Sequence, residues 1–334
     1  MMLRPLLRLA SPGGTNARLS TLIFHRVLPR PDPLFPEEMD AARFAQVCGW
    51  LAAWFNVLPL DAAVRRLDEG SLPPRALAIT FDDGYADNHD VALPILARHR
   101  LPATFFVATG FLDGGRMWND TVIESIRHCD RPRLDLAALG IDGLGTQPLG
   151  DAAARRAAID RVLKAIKYRP IDERLALTRR LAALAGVRPS DHLMMRSEQV
   201  RALHRAGMQI GAHTVSHPIL AKLPDDLARA EIFHSKQRLE SLLDAPVPLF
   251  AYPNGKPGED YDARSVAIAR AAGFSAAVTT AKGVADQRTD RFQLPRFTPW
   301  DRSRSRFGAR MVDNLWRGKR PEVVAASTAG PIAT

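Results

Sequence analysis

Two short stretches of the chain concentrate residue types that can do chemistry. Asp82 and Asp83 are adjacent and are followed by Gly84 and Tyr85, in the run TFDDGY. Neighbouring carboxylates after an apolar run are electrostatically costly unless a cation sits beside them. A divalent metal meets that need, and Gly84 permits the tight turn. Asp-Asp-Gly is also an ordinary turn sequence, so this stretch does not decide the matter alone. The second stretch is HTVSHP, His213 to Pro218. A spacing of four is common for metal-ligating histidines. Pro218 disfavours helical geometry at His217, which places both imidazoles on a loop. Asp83, His213 and His217 together form a two-His, one-carboxylate set with coordination positions left for water and substrate. That set suits zinc hydrolysis and is also used by iron oxygenases.

These loops need a frame. The β-rich run Arg75–Phe81 predicts a strand that ends at Asp82, and Met208–Ala212 predicts one that ends at His213. Ser20–Leu28 reads as a strand with His25 near its end, and Val247–Tyr252 as one that feeds Pro253-Asn254-Gly255. Helical spacing over 40–55, 61–69, 197–206, 224–243 and 263–272 alternates with these strands. Strand–helix alternation implies a parallel sheet whose strand C-termini share one face, where sites are built. Residues 119–195 differ. They are rich in Ala, Leu and Arg, and are read as a helical insertion broken by a Gly-containing loop near 140–150.

The pair TFDDGY and HTVSHP resembles, in order and strand context, the first two motifs of the NodB-homology polysaccharide deacetylases, carbohydrate esterase family 4. The resemblance covers roughly residues 20–300. It implies a distorted (β/α) barrel with fewer strands than a TIM barrel, here carrying a helical insertion. It also implies metal-assisted removal of acetyl groups, mostly from N-acetylated sugars. On the matching positions, Asp82 is expected to be the general base. Asp83, His213 and His217 are expected to hold a divalent metal, zinc first, with cobalt or nickel as alternatives. The family's third motif departs here: Ala251 stands where Arg is usual, and Asn254 where Tyr is usual. The backbone N–H at Asn254 still suits an oxyanion. Arg296, in LPRF, is the candidate replacement for the missing Arg. No His follows His234, so the usual late general acid is absent and His25 is the candidate. Its segment IFHRV is similar to that of the poly-N-acetylglucosamine deacetylase branch. Tyr85 and Trp118 are expected on the substrate side of the cleft. The second reading is a metal-dependent amidohydrolase or esterase acting on a non-polymeric amide, imide or acyl ester.

Composition bounds the rest. The chain has 334 residues and a formal net charge of +10, yet only seven of its 46 basic residues are Lys. That Arg and Ala enrichment is more compositional than functional, and no nucleic-acid-binding motif accompanies it. Cys48 and Cys129 cannot form a disulfide framework or a multi-cysteine zinc site. No run approaches about 18 apolar residues, so no membrane span is expected. The N-terminus is interrupted by Arg4, Pro5 and Arg8 and lacks a cleavage signature. Residues 1–19 are expected as an exposed segment, 20–300 as the catalytic domain, and 301–334 as a basic, partly disordered tail. The expected partner is an N-acetylated glycan. The expected location is the cytoplasm, with a peripheral contact at the inner membrane surface as an option.

Overall fold

The computed structural model of the chain describes residues 3–318 and 323–325. Its centre is a parallel sheet of β1 (Leu19–Phe24), β2 (Asn56–Val57), β3 (Ala76–Phe81), β4 (Thr104–Val107), β7 (Gln209–Ala212), β8 (Leu249–Ala251) and β9 (Ala276–Val278). The path runs β1-β3-β4-β7-β8-β9, with β2 beside the start of β3 and β4 beside its end. The segment 294–297 then bridges both outer strands in parallel, through Val278 with Leu294 and Leu22 with Phe297. The sheet thus curls into a distorted barrel whose last stave is an irregular strand.

Alternation along β3 sorts its side chains into two layers. Leu77, Ile79 and Phe81 join the outer core with residues of α2 (Ala41–Trp54), α4 (Leu93–His99), α8 (Ser197–Arg205), α9 (Asp225–Leu243) and α10 (Ala263–Ala271). Ala76 and Ala78 join a second layer with Phe106, Leu249, Ala251, Val278 and Leu294, packed against α3 (Leu60–Asp68). Continuing that period, Thr80 and Asp82 fall on the inner face, as does Arg296 two residues after Leu294. Small residues on the strands leave room for one large guanidinium. Asp40 caps α2 by accepting from the N–H groups of Ala42 and Arg43.

The insertion begins with α5 (Trp118–Arg127) and continues through α6 (Ala152–Ile166) and α7 (Ile171–Ala185). It has its own apolar core of residues such as Val122, Ile159, Val162 and Leu181. The expected Gly-broken loop is corrected in part. β5 (Arg133–Asp135) and β6 (Thr146–Pro148) pair antiparallel there.

Both chain ends also depart from expectation. Residues 1–19 are not simply exposed: α1 (Leu3–Ala10) buries Leu7 and Ala10. Within 301–334, α11 (Arg304–Arg317) buries Phe307, Met311 and Leu315, four residues apart, and packs against α1. Helical spacing of apolar groups thus orders a segment whose charge reads as solvated. The expected disorder further on falls largely outside the described residues. Among the described residues, no helix is long and apolar enough to cross a membrane.

Candidate metal centre and active site

β1, β3, β7 and β8 deliver their following residues to one end of the barrel. Phe24 and Phe81 are partners in register, as are Val107 and Ala212. His25, Asp82-Asp83 and His213 therefore emerge side by side. The loops that carry them are tightly wound. Of the eight non-Gly residues with positive φ among the described residues, four lie here: Asp83, Thr214, His217 and Asn254. Such left-handed backbone persists only where surrounding contacts hold it. Gly84 is also left-handed, and a Cβ there would meet the Val107 side chain at 3.1 Å. The HTVSH loop is held by Glu231 of α9, whose carboxylate accepts from Val215 N, Ser216 N and Ser216 Oγ at 2.6–2.8 Å.

Asp83, His213 and His217 bring three ligand atoms within 4.8 Å of one another. Asp83 Oδ1 lies 3.4 Å from Nε2 of both imidazoles. It is buried and accepts no hydrogen bond. A buried, unpaired carboxylate oxygen facing two imidazole nitrogens is an expensive arrangement for the protein alone, and a bound cation would satisfy it. His213 Nδ1 donates to the Ala251 carbonyl at 2.8 Å. That bond orients the ring with Nε2 toward Asp83; burial opposes its protonation, but the Asp82 and Asp83 carboxylates prevail and raise its pKa. Burial pushes His217 down to about 4, so its ring is neutral at neutral pH. Burial opposes ionisation of Asp83, but the two imidazoles beside it hold its carboxyl well below the usual range. The donor set fits a divalent metal. His213→Ala is expected to abolish stoichiometric metal uptake, and full occupancy by elemental analysis would refute the assignment.

Asp82 sits beside this set but turns away from it. Its two oxygens accept from Arg296 Nη1 and Nη2 at 2.6 and 2.7 Å, a bidentate pair. His213 Nε2 lies 3.9 Å from Oδ2. Both partners are buried, Asp82 2% and Arg296 1% exposed. Arg296 also donates to the Thr279 carbonyl and to Thr80 Oγ1, so its fork is fully seated. Burial works against the Asp82 carboxylate, but the Arg296 charge prevails and its pKa is lowered.

Of the remaining expected residues, His25 is exposed at the mouth, and Asn88 Nδ2 donates to its carbonyl at 2.8 Å. It lines a cavity of about 270 Å³ with Asp83, Tyr85, Asp120 and Trp300. Asn254 and Trp118 line a cavity of about 250 Å³ on the other side of Asp83, with His217. The Asn254 N–H donates no hydrogen bond among the described residues. Trp118 packs against the insertion's core as well as facing the cleft. Tyr85 lines the same cavity as His25, and its hydroxyl donates to Asp120 Oδ1 at 3.1 Å, under the Arg26 guanidinium. Glu231, Trp300 and Arg174 escape a reading of sequence alone, because none sits in a motif or at a strand end.

Asp120 is pushed up to about 7, first by burial and then by the Asp83 and Glu124 charges. A carboxyl raised above its unfolded value favours folding most at pH below the unfolded pKa. That contribution is lost as pH rises through about 7. Asp120→Asn is expected to flatten the fall in metal-free stability between about pH 4 and 7, the window between those two values. Urea titrations across that range that show an unchanged slope would refute this.

Comparison with known proteins places the chain in a family. The model of the family described as Polysaccharide deacetylase matches residues 69–128 and 160–277, more than half of the chain. YxkH of Bacillus subtilis (strain 168), which carries a polysaccharide deacetylase name, is 20% identical over 282 residues, spanning 84% of this chain and 71% of that protein. The Streptococcus pyogenes deacetylase PplD, solved in complex with acetate, aligns with a TM-score of 0.60 at 18% identity, over 90% of this chain and 98% of its own. IcaB from Ammonifex degensii aligns with a TM-score of 0.57 at 19% identity, over 92% and 98%. At these identities the likeness to the solved structures is one of fold. The chain belongs to the polysaccharide deacetylase family, hydrolases of carbon–nitrogen bonds other than peptide bonds that remove N-acetyl groups from glycans.

Proposed function

We propose that the chain de-N-acetylates a polysaccharide that contains N-acetylglucosamine, with Asp82 as general base and His25 as general acid. The observation that carries this reading is the bidentate Asp82–Arg296 pair set beside the Asp83-His213-His217 cluster. A divalent cation on those three residues, zinc by preference for this donor set, would supply Lewis-acid polarisation of the acetamide carbonyl and of the attacking water. Asp82 is ionised at neutral pH and its orientation is fixed by Arg296, so it can accept the proton of that water. The unpaired Asn254 N–H is a donor for the carbonyl oxygen as it gains charge. His25 stands at the mouth, where solvent and the departing amine both reach it, and gives the proton that completes the reaction.

The open cleft with cavities on both sides of Asp83 supports a polymer over a small cyclic amide. We further infer action at the inner membrane surface on a lipid-linked or nascent glycan. Exposed Leu6 and Leu9 beside Arg4 and Arg8 on α1 support it. Turnover of β-1,4- against β-1,6-linked N-acetylglucosamine oligomers tests the substrate. A clear preference for one linkage is expected. Activity confined to small amides or esters would overturn the polymer reading. His25→Ala is expected to lower acetate release about a hundredfold with metal content unchanged, and unaltered turnover would return His25 to a structural role.

A further inference from the structure

A cavity of about 770 Å³ lies away from the metal ligands. It lies between the insertion and α9, and it adjoins the Trp118–Asn254 cavity through Lys167, Arg174 and Ile219, which line both. The groove thus leads out from the reacting centre along the insertion.

Its charge is uneven. Lys164, Lys167 and Lys222, three of only seven lysines in the chain, line the two cavities. None forms an ion pair among the described residues. Of the two acids lining the larger cavity, Asp172 is exposed and Glu231 is occupied by the HTVSH loop.

Arg174 is the residue that needs explaining. It is 6% exposed, yet among the described residues no carboxylate pairs with it. Nη1 donates to the Lys167 carbonyl at 3.0 Å, and the guanidinium lies 4.8 Å over the Trp118 ring. Nε is buried with no partner at all. A buried cation without a counter-charge is costly, and at the junction of two open cavities a ligand can supply that charge. The first turn of α7 adds to this. Ile171, Asp172 and Glu173 make no backbone N–H bonds, and Pro170 gives no side-chain cap.

We infer that this junction is an anion subsite, and that the glycan deacetylated here carries a negatively charged substituent, a phosphate or a sugar carboxylate. The inference rests on the deacetylase reading above and names the substrate class more narrowly. A neutral N-acetylated sugar occupies the reacting centre, and the charged group one or more units away meets Arg174, Lys167 and Lys222. Tyr168 stands exposed at the groove wall beside Lys167, where its ring can face a pyranose.

Three probes test it: a neutral β-1,4-linked N-acetylglucosamine tetramer, the same tetramer with a reducing-end phosphate, and an oligomer alternating N-acetylglucosamine with glucuronate. Binding is measured by calorimetry on metal-loaded Asp82→Asn protein, and acetate release on the wild type. At least one charged probe is expected to bind about tenfold or more tightly than the neutral one, with the advantage shrinking as salt is added. Which probe wins separates phosphate from carboxylate. Arg174→Gln in that background is expected to remove most of the advantage. Lys222→Ala, at an exposed position that does not endanger folding, is expected to cut it about threefold. Equal binding of all three probes overturns the inference, as does a preference that survives both substitutions. The two readings fail separately. Equal binding with acetate released leaves the deacetylase and removes the anion subsite. An Arg174-dependent preference with no acetate from any probe does the reverse.

Discussion

Asp82→Asn is expected to keep the fold and the metal and to lose acetate release about a hundred- to ten-thousand-fold, the usual contribution of a positioned general base. Asn is nearly isosteric, so the shape of the site is retained. Its amide oxygen can still accept from one arm of the Arg296 fork. What it lacks is a basic oxygen for the proton of the attacking water. The Asp83-His213-His217 cluster does not include Asp82, so metal content should be unaltered. A variant that lost both metal and activity would place Asp82 among the ligands instead. A variant with both intact would remove it from the chemistry.

The second large effect is on stability. Arg296→Met is expected to destabilise the metal-free protein by about 3–5 kcal/mol at neutral pH, because it leaves one partner of a buried pair uncompensated. The sign with pH follows from the pair. Arg296 lowers the Asp82 pKa in the folded state. The pair therefore contributes stability above the unfolded carboxyl pKa, and that contribution is lost as pH falls through the folded value. The gap between wild type and Arg296→Met should be widest near pH 7 and narrow as the medium is acidified below about pH 4, the ordinary Asp range. Chemical denaturation at the two pH values measures it. Arg296→Lys should recover only part of the loss, since one ammonium cannot reproduce the fork. A gap independent of pH would mean that Arg296 contributes packing and not charge.

Much of the site is legible in the chain because strand ends are. The β-rich run before Asp82 and the short one before His213 mark two strands, and a parallel sheet forces their following loops to one face. Arg296 can be found by asking what replaces a missing guanidinium, since Ala251 cannot seat Asp82. The structure adds the reason that this substitution is geometrically feasible. Ala76, Ala78 and Ala251 leave the barrel interior open to a side chain arriving from the 294–297 stave. Ala251 keeps a part in the site through its backbone, where its carbonyl orients His213.

What is illegible is illegible for identifiable reasons. Arg174 is one Arg among many in the insertion, and only its burial without a counter-charge distinguishes it. Glu231 acts through backbone N–H groups of a loop fifteen or sixteen residues away in sequence, a contact no local pattern encodes. The ends were read by charge, whereas Phe307, Met311 and Leu315 order α11 through apolar spacing that the Arg-rich background conceals. Tyr85 lies in the motif, but its hydroxyl is claimed by Asp120, whose placement depends on how the insertion packs against the barrel.

The most direct test is acetate release, with matching appearance of free amine, from N-acetylglucosamine oligomers by zinc- or cobalt-supplied wild type beside Asp82→Asn. The account requires both products in equal amounts from the wild type and neither at a comparable rate from the variant. Metal-loaded, folded wild type that releases neither would contradict it and would move the activity to another amide or ester.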